Sequence, residues 1–371
     1  MNPKRLMTLA ALVAAVAVLP VAAAVLAGSP SPARSADVPA ATGQWSLEGS
    51  SNPPDTVQLS LSIVRPKHPH ESNSRDIALT DLAGLTAEDL KREAVEVMFR
   101  LQRDAGTLVM QGTLAGGKGK GRFELFLAPG FSDELQRRGV GRPSHEQQVL
   151  LTLDDGRLLL LNELHEQGCP TPNVELFLRC VQHQVSHAYV HDMVALGYRL
   201  ASTDEWVKAR DHGVDPSFVR GMSEAGFSKL TFAQLLRARD HGADPAYATE
   251  MRAAGLGERS IDELVTARDH AVDARFIRDL EALGFHGLSL ARLIELRDHG
   301  VDAQYLAALK RMGFSLVTLG DALEARSHGV DAAYLSSLQQ AGYFSITLPE
   351  AIRARDHGVD AGFAPDAQRR L

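Results

Sequence analysis

Hydrophobic and polar positions alternate with two different periods along this chain, and the change of period divides it. Val57, Leu59, Leu61 and Ile63 alternate with Gln58, Ser60 and Ser62, and Val95, Val97, Phe99 and Leu101 alternate with Glu96, Met98, Arg100 and Gln102. Period-two patterns of this kind make half-buried strands. Asp104-Ala105-Gly106 predicts a short hairpin turn with Gly106 free to take positive φ, followed by a strand over 107–114. Gly116-Gly117-Lys118-Gly119 predicts a second turn into a strand over 122–127, and a short helix is expected over 86–91. Residues 44–128 therefore read as a small antiparallel β domain. Helical patterns follow at 131–138 and 144–153, read as an adaptor with a degenerate first repeat over 129–168.

Beyond that point the apolar residues recur every 29 positions. The columns are Phe218, Tyr247, Phe276, Tyr305, Tyr334 and Phe363, then Leu236, Val265, Ile294, Leu323 and Ile352, and Val214, Val272, Val301, Val330 and Val359. Gly168, Gly197, Gly226, Gly255, Gly284, Gly313 and Gly342 keep the same step, as do His183, His212, His241, His270, His299, His328 and His357. A fixed period of this size marks a repeat array. Each unit reads as two short helices. Ser202 with Glu205 fits a capping box, and Thr231/Gln234, Ser260/Glu263 and Thr347/Glu350 repeat it. Gly213 closes the first helix, Asp215-Pro216 caps and opens the second, and Gly226 ends it. Helices of about ten residues are too short to persist alone in water, so neighbouring units must supply the missing burial. The fold class expected is α+β: a small antiparallel β domain followed by an α-solenoid of 29-residue helix-turn-helix repeats over 169–371, stopped where Pro365 interrupts the last helix.

The remaining features concern address and redox state. Lys4 and Arg5 precede an apolar run from Leu6 to Leu26, with small residues at 22–27, which reads as a signal peptide over 1–27. An uncleaved membrane anchor is the alternative, since the run is about long enough to span a bilayer. Residues 28–43, rich in Pro, Ser and Ala, read as a disordered tether. The formal charge of −7 and the absence of a basic stripe exclude nucleic acid as the natural partner. Export permits a disulfide between Cys169 and Cys180, while the apolar slots these residues occupy suit two buried thiols equally.

The histidine ladder invites a metallic or catalytic reading. Neighbouring units are offset by about 8–10 Å, whereas two nitrogens on one zinc at ~2.0–2.1 Å lie within about 4 Å of each other. A structural role fits better: His and Arg in a last helical turn face exposed carbonyls, and Asp211, Asp240, Asp269, Asp298 and Asp356 are expected to pair with Arg of the same or next unit. His187 and His191, four apart on one helix, are the weak metal candidates, with His183 or Asp192 as a third ligand. His68 and His70 flank a proline in a polar loop and supply too few ligands. No nucleophile elbow, P-loop or H-E-x-x-H occurs, so neither an enzyme nor a cofactor is expected.

Arg-Asp-His-Gly-Val-Asp followed by an aromatic and Ala-Gly-Phe or Leu-Gly-Phe, behind strands containing Gly106-Thr107-Leu108-Val109 and Gly119-Lys120-Gly121-Arg122-Phe123, resembles the exported C-terminal region of bacterial regulatory zinc metallopeptidases of the β-lactam-sensor type. The resemblance runs from Trp45 to the C-terminus and lacks the peptidase: His145-Glu146 and His165-Glu166 have no second histidine. It implies a stand-alone exported bacterial protein. The expected function is a periplasmic or secreted scaffold that binds a protein or peptide in the cell envelope through residues that vary between units. Arg220, Thr249, Arg278, Ala307 and Ser336 form one such slot. The alternative is a ligand-sensing regulatory module of an envelope signalling or membrane peptidase pathway.

Overall fold

The computed structural model describes residues 38–49, 55–63, 70–71, 74–257, 259–314 and 317–359. The readings of a signal peptide, of most of the tether and of the stop at Pro365 lie outside these residues, as does the loop around His68. Among the described residues the architecture is mixed α+β, an antiparallel sheet and sixteen α-helices within the unit Pro39–Leu371.

Eight strands build the sheet: β1 Ala41–Gly49, β2 Thr56–Ile63, β3 His70–Glu71, β4 Arg75–Ala78, β5 Leu82–Ala83, β6 Val95–Arg103, β7 Gly106–Ala115 and β8 Lys118–Leu127. Their order is β3-β2-β1-β8-β7-β6-β5, with β4 also paired to β2, and every pairing is antiparallel. β1 begins at Ala41, inside the segment read as a tether, because Trp45 and Leu47 are buried in the sheet's core. The Trp45 indole explains the glycines of β7 and β8. A Cβ at Gly112, Gly119 or Gly121 would stand within 2.7–2.9 Å of the ring, and Trp45 Nε1 donates to Gln111 O at 3.2 Å and Arg122 O at 3.1 Å. The turn predicted over 116–119 is therefore only Gly116-Gly117, at φ +55° and +81°; Lys118 and Gly119 already belong to β8.

Gly106 also departs from expectation. It does not take positive φ; it pairs with Arg103 across a two-residue turn. Its glycine is required by space, since a Cβ would lie 2.5 Å from Phe126 O and 3.0 Å from the Thr152 side chain. The helix expected over 86–91 shrinks to a 3-10 turn at Asp89–Lys91, with the Asp89 carboxylate accepting from the Thr86 hydroxyl and N–H.

The helices are α1 Phe131–Arg137, α2 His145–Leu153, α3 Leu158–Glu166, α4 Val174–Gln182, α5 His187–Ala195, α6 Thr203–Asp211, α7 Pro216–Glu224 and α8 Phe232–Asp240. They continue as α9 Pro245–Met251, α10 Ile261–Asp269, α11 Ala274–Glu281, α12 Leu290–Asp298, α13 Ala303–Arg311, α14 Leu319–Ser327, α15 Ala332–Gln340 and α16 Leu348–Asp356. The even-numbered helices start at 145, 174, 203 and so on to 348, each 29 residues after the last, and the odd-numbered ones from α3 keep the same step. The segment read as an adaptor thus contains helices in the register of the later units. Helices two apart in sequence pack together, α2 on α4, α4 on α6, α5 on α7 and α14 on α16 among them.

Local chemistry fixes these short helices. Thr231/Gln234, Ser260/Glu263 and Thr347/Glu350 form the expected reciprocal caps, joined by Ser144/Gln147 and Thr318/Asp321. In α6 the Glu205 carboxylate accepts from Ala201 N instead of Ser202 N, so that box is half made. Asp215, Asp244, Asp273, Asp302 and Asp331 each accept from the N–H of the third residue of the odd-numbered helix that follows.

After each even-numbered helix the chain turns through a left-handed residue. After α6, α8, α12, α14 and α16 this is Gly at φ near +70°, but Ala271 holds the same place at φ +55°. A Cβ in that region is strained by about 1–2 kcal/mol, partly offset by the freer unfolded chain of glycine. Ala271→Gly is expected to raise stability by about 0.5–1 kcal/mol, read as a higher denaturation midpoint at unchanged slope. A lower midpoint would contradict the strain.

α2 fastens the helices to the sheet. Val149 and Leu153 enter the sheet's core. Gln148 Nε2 donates to Ala105 O and Ala128 O, both at 3.0 Å, and the buried Arg103 reaches Thr152 O at 2.7 Å and Leu153 O at 2.5 Å. Burial pulls the Arg103 guanidinium down to about 10, opposed by the Asp155 charge 3.4 Å away.

Candidate functional site

His183, His212, His241, His270, His299, His328 and His357 all occupy the C-cap of an even-numbered helix, as the ladder suggested. The partner expected for the aspartates was wrong. They meet histidine, not arginine: His212 Nδ1 lies 2.5 Å from Asp240 Oδ1, His241 2.7 Å from Asp269, His270 2.8 Å from Asp298 and His328 2.8 Å from Asp356. His183 makes the same contact with Asp211. At His299 the partner is Ser327, with Oγ 3.1 Å from Nδ1.

The arginines are engaged elsewhere, which is why the carboxylates go to histidine. Arg210, Arg239, Arg268, Arg297, Arg326 and Arg355 lie over the rings of Tyr189, Phe218, Tyr247, Phe276, Tyr305 and Tyr334, 4.6–5.2 Å from the centroids. The tyrosine hydroxyls continue to the next unit: Tyr189 donates to Val214 O at 2.7 Å, Tyr247 to Val272 O at 2.7 Å and Tyr305 to Val330 O at 2.8 Å. Burial pushes the Tyr305 hydroxyl up to about 12 and raises Tyr189 and Tyr247 further, so these phenols remain donors. Gly197, Gly226, Gly255, Gly284, Gly313 and Gly342 all have positive φ, and Gly139 and Gly168 extend that ladder towards the N-terminus. The Schellman bond recurs with it, from Val140 N to Leu135 O at 3.1 Å through Tyr343 N to Leu338 O at 3.0 Å.

His187 and His191 share a carboxylate that sequence reasoning missed. Glu163 Oε2 is 3.4 Å from His187 Nε2 and 3.8 Å from His191 Nδ1, and the two rings stack at 5.9 Å. Glu163 is buried, and Gln167 Nε2 donates to its other oxygen at 3.0 Å. His183 is occupied by Asp211, and Asp192 is exposed on α5. Among the described residues no group of three or more His, Cys, Asp or Glu side chains is arranged to hold a metal ion. Two units later the equivalent pair is Gly221 and Pro245, in close contact, and His187 itself is replaced by Pro216, Pro245, Ala274, Ala303 and Ala332 in the following units. The carboxylate column recurs as Asp192, Glu250 and Asp279 while the histidine does not, so periodicity alone did not join Glu163 to His187.

Cys169 and Cys180 are both buried free thiols, so the disulfide weighed from sequence is absent. Burial pushes Cys180 up to about 12 and raises Cys169, whose Sγ lies 3.4 Å from Leu200 O.

One concavity lies where the sheet meets the first helices. A cleft of about 500 Å³ is bounded by Ser74, Arg75 and Asp76 at β4, by Asp154, Asp155 and Arg157 after α2, and by Leu159 and Leu160 of α3. Gln184 to Tyr189 and Arg210 complete it. Its charges differ in how far they are satisfied. Asp155 sits 2.9 Å from Arg157 and 3.4 Å from Arg103. Arg75 Nη2 makes one long bond, 3.3 Å, to Val181 O, and Arg210 Nη2 donates to Gln184 Oε1 at 3.0 Å.

No protein-family profile matches this chain, and neither curated proteins nor solved structures give a match.

Proposed function

We propose that this chain is a non-enzymatic, exported bacterial scaffold whose helical units stack as an α-solenoid and bind a protein or peptide of the cell envelope. One observation carries the reading. The side chains that stay constant between units are consumed by unit-to-unit bonds: histidine on aspartate, arginine on ring, tyrosine hydroxyl on carbonyl. The variable slot is left outward, with Arg220, Thr249 and Arg278 exposed and Ala307 and Ser336 half-buried. Constant interior and variable exterior is the division of labour of a repeat scaffold.

In this reading the protein is periplasmic or secreted, anchored only if its N-terminal apolar segment is retained, and it resembles the exported part of β-lactam-sensor peptidases without their catalytic domain. A second reading, a ligand-sensing module of an envelope signalling or peptidase pathway, is favoured by the cleft between sheet and helices.

The test is capture of partners from an envelope extract by the mature chain and two variants. Combined replacement of Arg220, Thr249 and Arg278 by alanine is expected to reduce retention of the captured protein at least about tenfold, since a few exposed side chains dominate an interface. His270→Gln, which touches only the contact between units, is expected to retain it. Loss of capture in His270→Gln at unchanged melting temperature, with the triple variant unaffected, would overturn the scaffold reading.

A further inference from the structure

The cleft at the sheet–helix junction is lined by Arg75, Arg157 and Arg210 together with Asp76, Asp154 and Asp155, and two of its cations have no ion-pair partner among the described residues. Arg157 is paired to Asp155, and Arg103 beneath the floor is bonded to two carbonyls and lies 3.4 Å from the same Asp155. Arg75 and Arg210 have no carboxylate within ion-pair distance among the described residues. Each uses a single guanidinium N–H in a hydrogen bond, to Val181 O and to Gln184 Oε1. Those two acceptors stand three residues apart at the end of α4, which brings both guanidinium groups to one wall of the cleft. Arg75 and Arg157 also act on Arg103 as like charges, opposed by Asp155 and Asp154. A guanidinium with open donors in a partly desolvated cleft calls for an anion, and its planar fork suits a carboxylate.

The lining also carries apolar side chains. Leu159 is 50% exposed, and the buried Leu160 also borders the cleft. Few large apolar side chains are so open on the described surface, and this one borders the cations. A volume of about 500 Å³ lies within the range of small-ligand clefts. Gln184 marks the place as specialised. At the equivalent position later units carry Gly213, Gly242, Ala271, Gly300 and Gly329, so among the described residues only Gln184 reaches from this place across to the stacked arginine.

We propose that this cleft binds a carboxylate attached to a short aliphatic group, with Arg75 and Arg210 receiving the carboxylate and Leu159 and Leu160 packing on the aliphatic part. Such a group is offered by the C-terminus of a peptide and by a free small acid. The inference deepens the ligand-sensing reading, and the site itself rests only on the cleft.

Calorimetric titration of the mature chain at low salt tests it. N-acetyl-leucine is expected to bind saturably at one site, with N-acetyl-leucinamide at least about tenfold weaker because it lacks the charge. Arg75→Gln and Arg210→Gln are each expected to weaken N-acetyl-leucine at least about tenfold. Arg239→Gln removes the same stacking one unit further on, outside the cleft, and should leave the affinity unchanged. N-acetyl-Ala-Ala-Leu binding more tightly than N-acetyl-leucine would identify a peptide end, and isovalerate matching both would identify a free acid; either supports a carboxylate site. Acid and amide binding alike, Arg75→Gln and Arg239→Gln weakening binding equally, or no saturable binding up to about 10 mM would overturn it. Binding with unchanged capture of envelope partners would keep the site and remove the sensing role.

Discussion

Trp206→Ala is expected to destabilise the helical region by about 3–5 kcal/mol, the usual range for removing a fully buried aromatic side chain. Trp206 is 0% exposed in α6, and its ring meets the edge of Tyr189 at 6.0 Å and 83°. Its 29-residue column reads Phe177, Trp206, Leu235, Leu264, Leu293, Ala322 and Ala351, all buried, so side-chain volume is greatest at Trp206 and falls from there towards the C-terminus. The same alanine that suits positions 322 and 351 would leave a cavity at 206, because the surroundings there are built around an indole. Part of the loss also passes through Tyr189, which lies under Arg210 and donates to Val214 O. Trp206→Phe keeps an aromatic ring and is expected to lose about half as much. Urea denaturation followed by circular dichroism measures both. A loss below about 1 kcal/mol for Trp206→Ala would mean that the column does not bear on stability.

Much of the local structure was legible because it depends on local chemistry. The alternation of Val95 to Leu101 became β6, and Ser260 with Glu263 became a reciprocal cap. What periodicity could not supply was identity across a gap. A 29-residue step says which residues share a face and leaves open what they touch in the next unit. Aspartate was therefore assigned to arginine, although the ring of the preceding unit already held that guanidinium. The shared register of the adaptor helices escaped for a related reason: Asp154-Asp155 stands where later units have His-Gly, yet Asp155, like Gln184 in the next unit, adopts the same left-handed turn, at φ +62° and +60°. β1 escaped because its burial depends on glycines more than sixty residues away, at 112, 119 and 121. The cleft residues come from β4, the turn after α2 and the ends of α4 and α6, and no sequence spacing unites them.

Removing residues 216–244 should leave a shorter, cooperatively folded protein, and removing 216–233 should not. The first deletion takes out 29 residues and joins Asp215 to Pro245, a capping aspartate and helix-opening proline like the pair it replaces. In the shortened chain Asp269 stands from His212 at the spacing Asp240 had, while Arg268 keeps its own Tyr247 and takes the place of Arg239 beside Gly213. Every unit-to-unit bond is thereby re-formed with a different residue of the same kind. The second deletion removes fewer residues but joins Asp215 to Gln234, the third residue of α8, and so drops α7 and the 29-residue spacing, so that the apolar columns on either side no longer face each other. If stability is a sum of units and of the contacts between adjacent units, the in-register chain loses one unit and one contact and keeps its ellipticity per residue. The off-register chain is expected to lose most of the helicity contributed after the join, because helices of about ten residues have no stability without neighbours. Far-ultraviolet circular dichroism and limited proteolysis distinguish the two. Equal behaviour of the deletions, both folded or both collapsed, would mean that the units do not stack interchangeably and that the scaffold proposed on that basis has no frame.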